Sequence, residues 1–181
     1  MNPVERWHPL HKGLHWLTLA LIIAAWAAVE LHEQFAKGSS WREWWKLMHF
    51  TIGFSVLLTV TVRLYVRARH PRPALIASRW QALASKAVHA LLYLVILAMP
   101  LTGMGMRQLA GKDTELFWLF ELPQIIAINT DLAKQVAWIH KEFLWNSLLV
   151  LVVIHMAGAL WHHFIDKDDT LRRMLPERHQ P

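Results

Sequence analysis

Four stretches of nearly continuous apolar residues divide the chain, at residues 14–31, 47–66, 87–109 and 143–164. Each approaches the roughly 20 residues that a helix needs to cross a hydrocarbon core of about 30 Å. The polar positions fall between them, so the pattern predicts membrane-spanning helices at about 14–35, 46–67, 86–108 and 139–165. The expected fold is all-α and integral to the lipid bilayer: a four-helix transmembrane bundle occupying 1–181 as a single domain. A soluble bundle is the alternative, but four full-length apolar spans leave too little polar surface to wrap them. The first stretch reads as a retained helix. Its small residues Ala27 and Ala28 are followed two positions on by Glu30, and His15 and Trp16 stand where a signal peptide would begin its plain apolar run.

The connections carry their own signals. In "LHEQFAKGSSWREWWK" (31–46), Gly38 marks a turn, and Trp41, Trp44 and Trp45 suit an interfacial aromatic belt. Pro71 and Pro73 are expected to end the second helix. Pro100, with Gly103 and Gly105, predicts a kink or an early end in the third. The segment "ELFWLFELPQII" (115–126) reads as a short amphipathic helix lying in the interface.

Charge adds orientation. The side bearing both termini holds twelve Lys/Arg and five Asp/Glu, and the other side seven and eight, giving net +7 against −1. Basic loops stay in the cytoplasm, so both termini are expected there. The overall charge of +6 is largely this asymmetry, so it gives no reason to expect nucleic-acid binding. The chain has no Cys, which excludes disulfides, thiolate-bound clusters and covalently attached haem.

Histidine supplies the candidate chemistry. The chain has 12, several of them inside apolar runs, where an imidazole is costly unless something satisfies it. His15 and His89 fall near one end of their spans and His49 near the other, whereas the fourth span carries His140 and His155. Those two are separated by about 22 Å along a helix axis. One helix therefore offers imidazoles at two depths, with partners at each: His49 at one, His15 or His89 at the other. Facing imidazoles across a bundle are what six-coordinate haem b requires. Gly53, one turn beyond His49, would let a macrocycle edge approach, and Arg63 and Arg67 could meet haem propionates. His8, His11, His32, His70, His163 and His179 read as interfacial. A His-rich zinc protein or metal transporter is the competing reading, although the span interiors lack the carboxylates such transport recruits.

Several motifs, in order, resemble the bacterial cytochrome b561 family along nearly the whole chain. They are "LHWLTL" around His15, "MHFTIGF" around His49, "RLYVRARHPRP", "HALLYLVILAMPLTG" and "IHMAGALWHHFIDKDDTLRRMLP". The resemblance implies two haem b groups. His15 and His155 would ligate the cytoplasmic-side iron, and His49 and His140 the periplasmic-side iron. His89 and His162 would be left to the haem surroundings or a quinone pocket. One departure stands out, because the family places its two helix-four ligands 14 apart, the first followed by Glu, and here they are 15 apart across "HKE". At about 100° per residue, 15 steps leave the two rings about 60° apart in the opposite sense to the about 40° of 14 steps. A π-bulge between them, or a frayed turn at His140, would absorb the extra residue.

Small members of that family are superoxide:ubiquinone oxidoreductases, which implies oxidation of periplasmic superoxide with electrons passed through both haems to ubiquinone. A cleft lined by Lys37, Arg42 and Lys46 would be the requirement for steering that anion. The alternative is a membrane relay between quinone and a separate periplasmic redox partner, docked on residues 111–138. Nothing in the sequence sets an oligomeric state.

Overall fold

The computed structural model describes residues 6–70, 73 and 78–175. Pro71, Arg72, Pro176, Arg178 and His179 lie outside these residues. Four helices are long and apolar enough to cross a membrane: α1 (Pro9–Gln34), α2 (Ser40–Arg69), α3 (Arg79–Leu109) and a fourth span, Thr130–Asp166. The fourth is composite. α4 (Thr130–Trp138) passes through a π-helical segment, Ile139–Leu144, into α5 (Trp145–Trp161), and a second π-helical segment, His162–Asp166, ends it.

Every span begins before its apolar run does, because polar residues nucleate it. Pro9 takes the first position of α1, where a missing N–H costs nothing, and the His8 ring accepts from Leu10 N–H at 3.3 Å. Ser39 caps α2 through Arg42 N–H at 3.3 Å. Ser78 and Gln81 form a reciprocal capping box on α3. Asn129 caps α4 through Leu132 N–H at 3.0 Å. Hydropathy locates the membrane-embedded part of each helix, while the caps set where the helix starts.

Val56 and Val60 of α2, Leu92, Val95 and Ile96 of α3, and Leu144 and Leu148 of the fourth span form the core, with Leu21 and Ile22 of α1 packed against it. Much of the remaining apolar surface points outward. Leu94, Val153 and Phe164 are 64%, 66% and 64% exposed, an arrangement suited to lipid and not to water. α3 does not end early at Pro100; it continues nine residues to Leu109 with the proline inside it.

The predicted interfacial helix at 115–126 is absent. In its place, β1 (Glu115–Leu116) and β2 (Phe120–Glu121) form an antiparallel hairpin with Glu115 opposite Glu121 and Leu116 opposite Phe120. Phe117 and Trp118 both adopt left-handed backbone at φ 55° and 56°, the signature of a primed hairpin turn. Leu116 is buried, and Phe117 N–H donates to Thr51 Oγ1 of α2 at 3.0 Å. That anchoring holds two bulky residues in a conformation they rarely take. Beyond the hairpin, Gln108 receives Ile125 N–H and donates to the Pro123 carbonyl, both at 2.9 Å, tying the loop back to α3.

Candidate functional site

The bundle holds imidazoles at two depths. Near the hairpin end, the rings of His49 and His140 are 6.3 Å apart and cross at 87°. Near the end carrying the termini, His15 and His155 are 6.2 Å apart at 71°, with His89 5.2 Å from His155. A metal gripped by two imidazole nitrogens at about 2 Å each separates the ring centres by about 6 Å. Two pairs meet that spacing, and His89 stands closer than it.

At the hairpin end, each ring's Nδ1 is committed. His49 Nδ1 donates to the Ala25 carbonyl at 3.0 Å, and His140 Nδ1 to the Met99 carbonyl at 2.9 Å, with Thr102 Oγ1 3.1 Å away. A proton fixed on Nδ1 leaves Nε2 with its lone pair, the tautomer a metal-binding histidine needs. Gly103 makes the approach possible. A Cβ there would stand 3.1 Å from His140 Cε1, so any other residue would press on the ring.

The π-helical segment Ile139–Leu144 answers the spacing problem, for it contains His140 and takes up one residue before the α-helix leading to His155. His140 is therefore buried and faces His49 across the bundle despite lying 15 residues from His155.

The other pair lies among unmet polar groups. His15 Nδ1, Arg63 Nε and Tyr93 Oη are buried with no hydrogen-bond partner among the described residues. Arg63 and Arg67 lie over the Tyr93 ring at 5.3 and 5.4 Å. Orphaned donors beside a buried guanidinium are the complement of an anionic group, and the carboxylates of a haem b would satisfy them. A Cβ on Gly53 would meet no atom within 4 Å, so the space beside it is open. The donor set and the space thus fit haem b: His49, His140, His15 and His155 could offer it imidazole nitrogens, and Arg63 and Arg67 could meet its carboxylates.

The remaining candidates are placed as follows. His89 Nδ1 donates to the Ser85 carbonyl at 2.6 Å within its own helix. His162 Nδ1 lies 2.6 Å from Asp168 and 3.3 Å from Asp166, and Gln81 donates to Asp166 at 2.7 Å. Burial works against the Asp168 charge, but hydrogen bonds from Thr170 and His162 outweigh it and hold the carboxyl below its ordinary range. Among the described residues, imidazole and carboxylates converge as a threefold ligand group there, at the end of the span and not inside it. His8 packs on His70, His11 on Trp7, and His163 on Phe164.

Lys37, Arg42 and Lys46 are not gathered into one cleft. Arg42 clamps the end of α1, donating to the His32 and Phe35 carbonyls at 3.2 and 2.7 Å and pairing with Glu33 at 3.1 Å. Lys37 is exposed, and Lys46 pairs with Glu43. The cleft at this end has about 450 Å³ and is walled by Trp44, Leu47, Phe50 and Trp118, with Lys46 and Arg107 facing Glu43, Asp113, Glu115 and Glu121. Sequence reading took Gly103 for part of a kink and assigned no site role to Met99, Thr102, Ala25 or Arg107. Only the "PLTG" motif, taken as a kink, pointed toward any of them.

Comparison with known proteins identifies the family of the chain. A family model described as prokaryotic cytochrome b561 matches residues 6–177. The chain is 33% identical over 168 residues to cytochrome b561 homolog 1 of Escherichia coli (strain K12), covering 91% of this chain and 94% of that one. It is 31% identical over 176 residues to the probable superoxide oxidase CybB of Yersinia pestis, covering 96% and 98%. Cytochrome b561 homolog 2 of Escherichia coli (strain K12) is also 31% identical over 176 residues, covering 96% and 93%. With four spans and its histidines at two depths, the chain belongs to the prokaryotic cytochrome b561 family, the multi-pass electron-transfer proteins of the inner membrane.

Proposed function

We propose that the chain carries two b haems and conducts electrons across the bilayer, from a one-electron donor at the hairpin end to ubiquinone at the end bearing the termini. The observation that carries this reading is the pair of imidazole couples, 6.3 and 6.2 Å apart, at two depths of one bundle. His49 and His140 would hold the periplasmic-side haem and His15 and His155 the cytoplasmic-side haem. Each haem supplies one-electron redox chemistry when bound. The protein's part is to fix ligand tautomers through Ala25 and Met99, to meet the propionates with Arg63 and Arg67, and to keep water out with the Val60–Ile96–Leu148 core. The lysine and arginine excess at the termini supports a cytoplasmic location for that end.

The name of the Yersinia pestis relative makes superoxide the first donor to test. Two superoxide ions would each give up one electron and leave as dioxygen, and the two electrons with two protons would convert ubiquinone to ubiquinol. With two imidazoles offered to each iron, no position would be open to the donor and the transfer would be outer-sphere. Purified protein in ubiquinone-containing liposomes, supplied with superoxide, should form ubiquinol at a rate lost in His49→Ala. A di-haem preparation that forms none would overturn superoxide as donor. The relay reading, with a separate periplasmic redox partner, is favoured by one observation, the carboxylates of the outer cleft.

A further inference from the structure

The cleft beside the hairpin has a charge pattern that an anion-collecting funnel would not have. Its four carboxylates, Glu43, Asp113, Glu115 and Glu121, outnumber Lys46 and Arg107. Lys46 is already paired with Glu43. Arg107 is turned onto the Phe50 ring at 4.5 Å and donates to Thr114 Oγ1 at 3.1 Å and to the Asp113 carbonyl. Among the described residues, no cation within salt-bridge distance neutralises Asp113, Glu115 or Glu121.

The hairpin makes this pattern more costly. Glu115 and Glu121 are cross-strand partners, so two like charges are held directly opposite each other. Such a pair destabilises a two-stranded ladder unless a cation meets it. The turn that produces the register is itself strained at Phe117 and Trp118. Trp44 and Trp118, with rings 6.1 Å apart, wall the same cleft and present faces that attract cations. Its floor leads inward by a single ring, for Phe50 lines the cleft and its centre is 6.1 Å from that of His49.

We propose that this cleft is the electron-entry site and that it takes a positively charged one-electron donor in preference to an anion. The proposal rests on the reading of a haem at His49 and His140. A cationic donor would dock against the Trp44 and Trp118 rings, its charge met by Glu115 and Glu121, and pass one electron inward past Phe50. The donor is oxidised by one electron and the haem reduced by one, and no bond is made or broken.

Two oxidants of opposite charge run the same exchange in reverse and serve as probes. Protein reduced with dithionite and freed of excess is mixed rapidly with hexaammineruthenium(III) or with hexacyanoferrate(III), and haem oxidation is followed optically. In Glu115→Gln/Glu121→Gln, and more so in Glu115→Lys/Glu121→Lys, the ratio of the cation's rate to the anion's should fall by about tenfold at low ionic strength and converge on wild type in high salt. The Gln pair changes charge with almost no change in shape, so it keeps the test valid if the Lys pair folds poorly. An unchanged ratio in spectrally intact variants would overturn the proposal. A preparation lacking a Soret band would instead remove the haem reading, and the proposal with it, before any rate is measured.

Discussion

His15→Ala is expected to lose one of two b haems, whereas His89→Ala keeps both. The fourth span offers a single imidazole at this depth, His155, and two rings approach it. The His15 ring is 6.2 Å away, the spacing that an iron between two imidazoles demands, and His89 is about an ångström too close at 5.2 Å. Ring spacing decides between them, because His89 Nδ1 donates to the Ser85 carbonyl much as the His49 and His140 rings donate to theirs. Losing an axial ligand that has no replacement removes the cofactor and, with it, the free energy its binding adds to folding. A dithionite-reduced minus oxidised spectrum reads the result directly: about half the α-band in His15→Ala, with the full band in His89→Ala. The reverse outcome would reassign the axial ligand and move His15 to the surroundings.

Removing one residue near a proposed ligand should do less harm than removing a ligand. Deletion of Lys141 lies inside the π-helical segment Ile139–Leu144 and lets that turn relax to an α-helix. The spacing to His155 then becomes 14, and His140 is followed directly by Glu142, the arrangement that the b561 pattern favours. Both haems should be retained. Deleting Lys141 and Glu142 together leaves no bulge to absorb the second loss. The spacing falls to 13, and at about 100° per residue His140 turns roughly 140° from the His155 direction and loses His49. Haem content per chain should be unchanged in the single deletion and about halved in the double. Loss of haem in the single deletion would show that the wider turn itself, and not only the register, is required.

Much of this arrangement was legible because its causes are local. An apolar run of span length needs no tertiary information to be read as a membrane helix, and an imidazole inside such a run announces a partner. The depth of each histidine follows from its position in its span, so which rings could meet followed as well. The spacing of His140 and His155 also called for an extra residue to be absorbed, and the π-helical segment absorbs it.

The hairpin was not legible, because Phe117 and Trp118 carry none of the Asn, Asp or Gly chemistry that marks a left-handed turn. Its contact with Thr51 on a distant helix holds it in place. The carbonyls that fix the His49 and His140 tautomers belong to other helices, and no local pattern marks them. Cation steering fared similarly. Lys37, Arg42 and Lys46 are close in sequence, yet Arg42 is drawn away to close the α1 terminus, and the hairpin brings carboxylates in its place.

The central claim is two bis-histidine haems per chain, and low-temperature electron paramagnetic resonance of the oxidised, purified protein tests it most directly. Two low-spin ferric spins per chain are expected. Their signals should be strongly anisotropic, because the paired ring planes cross at 87° and 71° and neither in-plane direction at the iron is favoured. One spin per chain, or a high-spin ferric signal revealing an iron with an open position, would contradict it.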